Sequence, residues 1–168
     1  MLETERLIFR KLTPNDAEAL YRIYHEPAVL KYFAHGPPDS VESERAGIER
    51  HLDYYDRHGF GLWATILRDS GEIIGRCGLL SQQVDGATEI EVAYLLSSHF
   101  WGRGLGSEAA RAIRDFAFQA LGYSRLISII HPQNLASKRV ATAIGMTFSR
   151  LTRLYNMDVE IFSITRSG

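Results

Sequence analysis

Apolar and polar residues alternate in RLIFRKL, residues 6–12, which is the period of a strand with one face buried. The period then changes. In TPNDAEALYRIY, residues 13–24, Leu20, Ile23 and Tyr24 recur at helical spacing, and Thr13, Pro14 and Asp16 supply an N-cap, a first-position proline and a first-turn acid. PAVLKYF predicts a short second helix ending at the breaker HGPP, and residues 39–59 predict a longer one that starts at Asp39 or Ser40 and stops at Gly59. Three strand-like segments follow: FGLWATILRD and EIIGRCGLLSQQ, joined by the turn DSG at 69–71, then ATEIEVAYLL at 87–96 after VDG. Leu105, Ala109, Ala112, Ile113 and Phe116 mark one face of a helix that runs to about Leu121 and stops at Gly122. RLISIIH, residues 125–131, is a continuous apolar run, as in a strand covered on both faces. NLASKRVATAIG predicts a last helix ending at Gly145, and TFSRLTRLY and VEIFSITR close the chain as a hairpin around NMD.

The order is strand, helices, three antiparallel strands, helix, strand, helix, two strands. A strand-helix-strand step after a meander requires at least one parallel pair in a mixed sheet. The expected fold is therefore an α/β (α+β type) domain with a mostly antiparallel sheet flanked by helices, one domain spanning residues 1–168. A net charge of −1 gives no general attraction for nucleic acid or an anionic membrane. Arg103, Arg111 and Arg114 form either a local basic patch or the solvated face of a helix. The single cysteine, Cys77, lies in the strand-like IIGRCGLL and reads as a buried, inert thiol, so no internal disulfide forms. An N-terminus of mixed charge, unlike a signal peptide, and the lack of any apolar run of membrane-spanning length fit a cytoplasmic protein.

The stretch HFWGRGLGSEAA, residues 99–110, stands out, because Gly102, Gly104 and Gly106 fall between an apolar strand and an amphipathic helix. Such a turn is either a tight connection or a cradle of backbone N–H groups for an anion at a helix N-terminus. A Walker-type loop would need Gly-Lys-Ser/Thr at its end, and Gly104 is followed by Leu105, Gly106 and Ser107. A dinucleotide fingerprint needs G-x-G-x-x-G after a first parallel strand, which neither the spacing nor the preceding meander provides.

EVAYLLSSHFWGRGLGSEAA followed by HPQNLASKRVATAIGM closely resembles the GNAT superfamily of N-acetyltransferases, and most closely its RimJ/RimL-like branch. The opening LETERLIFRKLTPNDAEALYRI looks typical of that branch too, so the resemblance spans essentially the whole chain. Trp101 occupies the place usually held by Arg or Gln in the superfamily turn. The resemblance implies a central parallel pair that splays apart and admits the pantetheine arm of acetyl-CoA as an extra strand. Backbone groups of Leu95 and Leu96 would then pair with the arm, and the amides of Gly102, Arg103, Gly104, Leu105, Gly106 and Ser107 would hold the pyrophosphate. Asn134 would bind the arm and Ser137 would sit near the thiol leaving group. Read alone, both residues are equally helix caps. A homodimer through the final hairpin is expected by the same analogy. No metal is implied.

Acetyl transfer by direct attack needs a neutral amine, and hence a base acting directly or through water. Counting along EIEVAYLL puts Glu89, Glu91, Ala93 and Leu95 on one strand face. Glu91 is the leading candidate base, the other reading being a solvated strand glutamate, and His131 is a second candidate. Many relatives carry a proton-donating tyrosine seven residues after the asparagine, where this chain has Ala141, so Ser137 or a water would serve instead. The expected acceptor is a small-molecule amine or a peptide N-terminus. Tyr32, Phe33, His35, Tyr54, Tyr55 and Trp63 are either its pocket or core aromatics. The alternative function is a non-catalytic acyl-CoA sensor or interaction module.

Overall fold

The computed structural model describes residues 2–32, 36–154 and 156–166. A two-residue strand β1, Leu2–Glu3, precedes β2, Leu7–Lys11. A 3-10 turn at Pro14–Asp16 leads into α1, Ala17–Tyr24, and Thr13 N–H donates to the Asp16 carboxylate at 2.8 Å. α2 is only Pro27–Leu30, shorter than PAVLKYF predicts, and Phe33 and His35 lie outside the described residues. α3, Val41–His58, is capped by Ser40, whose Oγ accepts from Ser43 N at 3.1 Å, and it ends at Gly59 in the left-handed region. The meander strands are β3 (Leu62–Leu67), β4 (Ile73–Val84) and β5 (Ala87–Leu96). Then come α4 (Leu105–Gln119), β6 (Arg125–Ile130), α5 (Leu135–Ala143), β7 (Thr147–Leu154) and β8 (Met157–Thr165).

All eight strands join one sheet in the order β1-β2-β3-β4-β5-β6-β8-β7. Every pairing is antiparallel except β5 with β6, as the strand-helix-strand step requires. The two faces of the sheet carry different layers. Val92 and Leu96 of β5 pack with Leu105, Ala109 and Ile113 of α4. Leu62 and Ala64 of β3, with Leu80, Ala93 and Leu95, pack against Leu20 of α1 and Ile48 of α3. The two-residue alternation of strands thus sorts β5 into an α4 side and an α1/α3 side. Cys77 is fully buried on the α4 side, and burial raises its thiol well above the ordinary range. Among the described residues, no helix is long and apolar enough to cross a membrane.

β3 and β4 approach unusually closely. A Cβ on Gly78 would stand 2.1 Å from the Gly61 carbonyl oxygen and 2.8 Å from Leu62 Cα, both backbone atoms that cannot step aside. Gly78→Ala should therefore destabilise the fold by about 1–3 kcal/mol, the usual range for overpacking. Urea unfolding checks this: the midpoint should fall with an unchanged slope, and an unaltered midpoint would show that the strands part at no cost.

Candidate functional site

The parallel pair is where the sheet opens. Glu91 and Ile127 are its only matched positions, although β5 continues to Leu96 and β6 to Ile130. Beyond the match, the edge of β5 that faces β6 has no strand beside it. Ser97 N donates to Ile74 O at 2.8 Å across β4, so by alternation Leu95 also turns its backbone groups toward β4, and Tyr94 and Leu96 turn theirs into the opening. Leu95, expected to offer its backbone here, turns it toward β4 instead, and Tyr94 stands beside the opening in its place. At the two ends of this edge, side chains take the carbonyls: Ser128 Oγ donates to Val92 O at 3.0 Å, and the Trp101 indole donates to Leu96 O at 2.9 Å.

The glycine turn closes the wide end of the wedge. Gly102 and Gly104 both have φ of +76°, a conformation that side chains beyond Gly rarely adopt. Gly104 caps α4, and the first helical bond runs from Glu108 N to Gly104 O at 3.0 Å, which leaves the N–H groups of Leu105, Gly106 and Ser107 ahead of it. The turn is fastened from two sides. Arg6 Nη1 donates to Arg103 O at 2.9 Å while Arg6 also pairs with Glu108 at 2.6 Å, and Glu26 accepts from Ser98 N and Oγ, both at 2.6 Å. The Arg103 guanidinium lies 5.2 Å from the centre of the Phe100 ring. Arg111 and Arg114 do not join this patch, because they donate to Ala143 O at 3.0 Å and Ile144 O at 2.6 Å and so hold the end of α5.

Wedge and turn bound one cavity of about 590 Å³, lined by Glu91, Tyr94, Leu95, Leu96, Gly102, Gly104, Leu105, Gly106, Ser107, Asn134 and Ser137. Arg103 is absent from that lining and meets the turn through its backbone. Glu91 Oε2 accepts from Gln82 Nε2 at 2.7 Å and its carboxylate also accepts from the backbone of Ile129. Burial pushes the Glu91 carboxyl above its ordinary range, and these two donors pull it partly back. On the other face, the Tyr94 hydroxyl donates to Ser137 O at 2.9 Å and lies 3.0 Å from Ser137 Oγ. Ala141, with only a methyl group, is buried in the core, and the phenol that adjoins Ser137 is that of Tyr94. Asn134 lines the cavity, and its Oδ1 caps α5 by accepting from Ser137 N at 3.0 Å. The His131 Nδ1 accepts from Gln133 N at 3.1 Å, so a neutral ring carries its proton on Nε2 and offers no lone pair there.

Sequence reasoning missed Tyr94, Gln82, Ser128 and Arg76, all of which line the cavity. The alternation along β4 and β5 carried the signal for Gln82 and Arg76, but only the register shows which strands meet. Of the aromatic candidates, Tyr32 lines the cavity and lies 5.1 Å from the His131 ring. Trp63 packs on Phe116 at 5.1 Å, the Tyr54 hydroxyl accepts from Ser81 N at 2.7 Å, and Tyr55 lies under Lys11, so these three serve the core instead. Among the described residues, no group of three or more His, Cys, Asp or Glu is placed to hold a metal.

The family profile described as acetyltransferase (GNAT) domain matches residues 6–147. An uncharacterized protein of Bacillus subtilis, YkkB, is 30% identical over 162 residues, covering 96% of this chain and 93% of that protein. The crystal structure of an acetyltransferase from Agrobacterium tumefaciens superposes with a TM-score of 0.81 at 31% identity, over 98% of this chain and 94% of that one. RimL, a ribosomal L7/L12 alpha-N-protein acetyltransferase solved with coenzyme A, shares the fold at a TM-score of 0.80 and 18% identity, over 96% and 95% of the two chains.

Beside the cavity, burial raises the Glu44 carboxyl to about 7, tempered by Arg50. A folded-state value above the unfolded one gives stability that is complete below about 4.5 and is lost as pH rises toward 7. Glu44→Gln should therefore stabilise the protein at pH 8, by on the order of 1–3 kcal/mol, and have little effect at pH 4.5. Thermal melts across that range check it, and equal shifts at both ends would remove Glu44 as the cause.

Proposed function

Because the chain belongs to the GNAT acetyltransferase family, we propose that it transfers the acetyl group of acetyl-CoA to a primary amine, on a small molecule or a peptide N-terminus, by direct attack on the thioester. A RimJ/RimL-like placement within the family belongs to the same proposal. The observation that supports it most is the continuity of the cavity, from a turn of unpaired amides along an unpaired strand edge to a half-buried carboxylate.

The residues present fit the cofactor. The amides of Gly102 to Ser107 and the α4 N-terminus suit a pyrophosphate, and the edge offered by Tyr94 and Leu96 suits the amides of an extended arm. When bound, acetyl-CoA supplies an acyl group already activated as a thioester. Glu91 takes the proton that the amine loses as its C–N bond forms, directly or through one water, and its raised carboxyl is a stronger base than an exposed one. The Ser137 hydroxyl, 3.0 Å from the Tyr94 hydroxyl, would be placed to give a proton to the thioester sulfur as the C–S bond breaks. Asn134 fixes the first turn of α5 so that this pair stays in place.

Calorimetric titration of acetyl-CoA tests the site. Wild type should bind in the micromolar range, and Gly104→Val, which forces a β-branched residue to a φ of +76°, should lose binding while remaining folded. Absence of binding to wild type would overturn the reading. Glu91→Gln should lower kcat by about 10²–10⁴-fold with acetyl-CoA affinity kept, and should abolish the acidic limb of the pH–rate profile, where wild type gains activity as Glu91 ionises. An unchanged profile would remove Glu91 as the base. Binding without turnover of any amine would instead favour a sensor.

A further inference from the structure

Arg76 is a cation that lines the cavity, and its one carboxylate partner among the described residues, Glu44 at 3.9 Å, stands at the far limit of an ion pair. It stands on β4 opposite Leu95, and alternation puts it on the same face as Gln82 and as Glu91, which lies opposite Leu80. Its side chain keeps 16% of its exposure, and the cavity is where it emerges. Burial lowers its pKa to about 10, so it remains charged at neutral pH.

Three groups face it among the described residues. The Tyr24 ring of α1 packs under the guanidinium, 4.9 Å from ring centre to Cζ. His51 of α3 takes one N–H, Nη1 to Nε2 at 3.2 Å, and burial keeps that ring neutral by lowering its pKa. Glu44 of α3 stands 3.9 Å away, too far for a hydrogen bond, and its Oε1 accepts none. A guanidinium carries five N–H donors in a planar fork suited to a carboxylate, and one of these five is used here. A structural ion pair would show the opposite: short contacts, as Arg10 makes with Asp16 at 2.7 and 2.8 Å. The glycine turn leads into α4 on the other face of the sheet, so the pyrophosphate has its own cradle and does not account for Arg76.

We propose that the acceptor amine bears a free carboxylate and that Arg76 binds it, making amino acids and short peptides with a free C-terminus the acceptor class. This rests on the acetyltransferase reading above. The two side chains then divide the acceptor, Glu91 at its amine and Arg76 at its anionic end. The Arg76 and Glu91 positions are ~13 Å apart along the strands at ~3.3 Å per residue, which suits an amine and carboxylate several bonds apart.

The test uses matched pairs that differ only in that charge: β-alanine and β-alaninamide, glycylglycine and glycylglycinamide, and longer ω-amino acids with their amides. Release of coenzyme A thiol from saturating acetyl-CoA gives kcat/KM for each. Wild type should favour the acid of a pair by roughly ten- to a hundredfold, mostly through KM, as expected for a hydrogen bond to a charged group. Arg76→Gln should bring the acid-to-amide ratio toward one, and Arg76→Lys should keep part of it, with thermal melts showing that both variants fold. A lost ratio with a restored one in the lysine variant is not what a merely structural residue would give.

Equal use of acids and amides by wild type, or an acid preference that survives Arg76→Gln, overturns the carboxylate site. So does a weakened acetyl-CoA affinity in Arg76→Gln in place of a lost acid preference, which would assign the guanidinium to the cofactor. If acetyl-CoA binds and no acid is acetylated, the acceptor proposal falls and the cofactor site stands. If acetyl-CoA does not bind at all, the underlying reading falls first.

Discussion

A strand edge that runs out of partners organises this molecule. β5 and β6 are matched at one position and then diverge, which leaves backbone groups of β5 inside the protein without a neighbouring strand. Buried backbone polar groups are costly when unpaired, so such an opening persists only where something else satisfies them. Ser128 and the Trp101 indole do so at the two ends of the edge. The span between them is shaped for an extended guest that brings its own donors and acceptors. The cavity, the glycine turn and the position of Glu91 all follow from that divergence.

Holding the opening in one shape requires rigid surroundings, and the fold supplies them through ties between distant parts of the chain. Arg6 reaches from the start of β2 to the turn and to Glu108, and Glu26 reaches from the start of α2 to Ser98. Arg111 and Arg114 brace the end of α5 from α4, so the arginines that might have formed a basic patch are spent on geometry. Amides already held in place at the turn would meet an anion without an ordering cost at the moment of binding.

The electrostatics of the cavity divide along the two faces of the sheet. On the α4 and α5 side, Tyr94 and Ser137 form a pair of hydroxyls, suited to a leaving sulfur. On the α1 and α3 side, a carboxylate with a raised pKa and a guanidinium with unused donors share one surface. Neutral hydroxyls can be buried at small cost once hydrogen-bonded, whereas charged groups on the acceptor side remain partly solvated through the cavity.

Much of this was legible in the chain itself. Periodicity gave every long strand and helix, because amphipathic patterns reflect which side of an element is buried. Capping chemistry left Asp39 or Ser40 to begin α3, of which the structure uses Ser40, and placed its end at Gly59, and the glycine spacing marked the turn that leads into α4. What the sequence could not order was contact across strands. Leu95 and Tyr94 are neighbours, and only the pairing of β5 with β4 shows that Tyr94 and Leu96 aim their backbone into the wedge while Leu95 does not. Trp63, Tyr54 and Tyr55 looked as suitable for a pocket as Tyr32, since an aromatic residue carries no mark of the neighbour it will meet. Arg76 in a strand reads as an ordinary exposed cation until α1 and α3 close over it. Local sequence thus determined the elements, their ends and the glycine-rich turn before α4, because those depend on residues a few positions apart. Tertiary structure alone decided which polar groups share the cavity and which charges are only loosely paired, because those depend on register and packing between segments far apart in the chain.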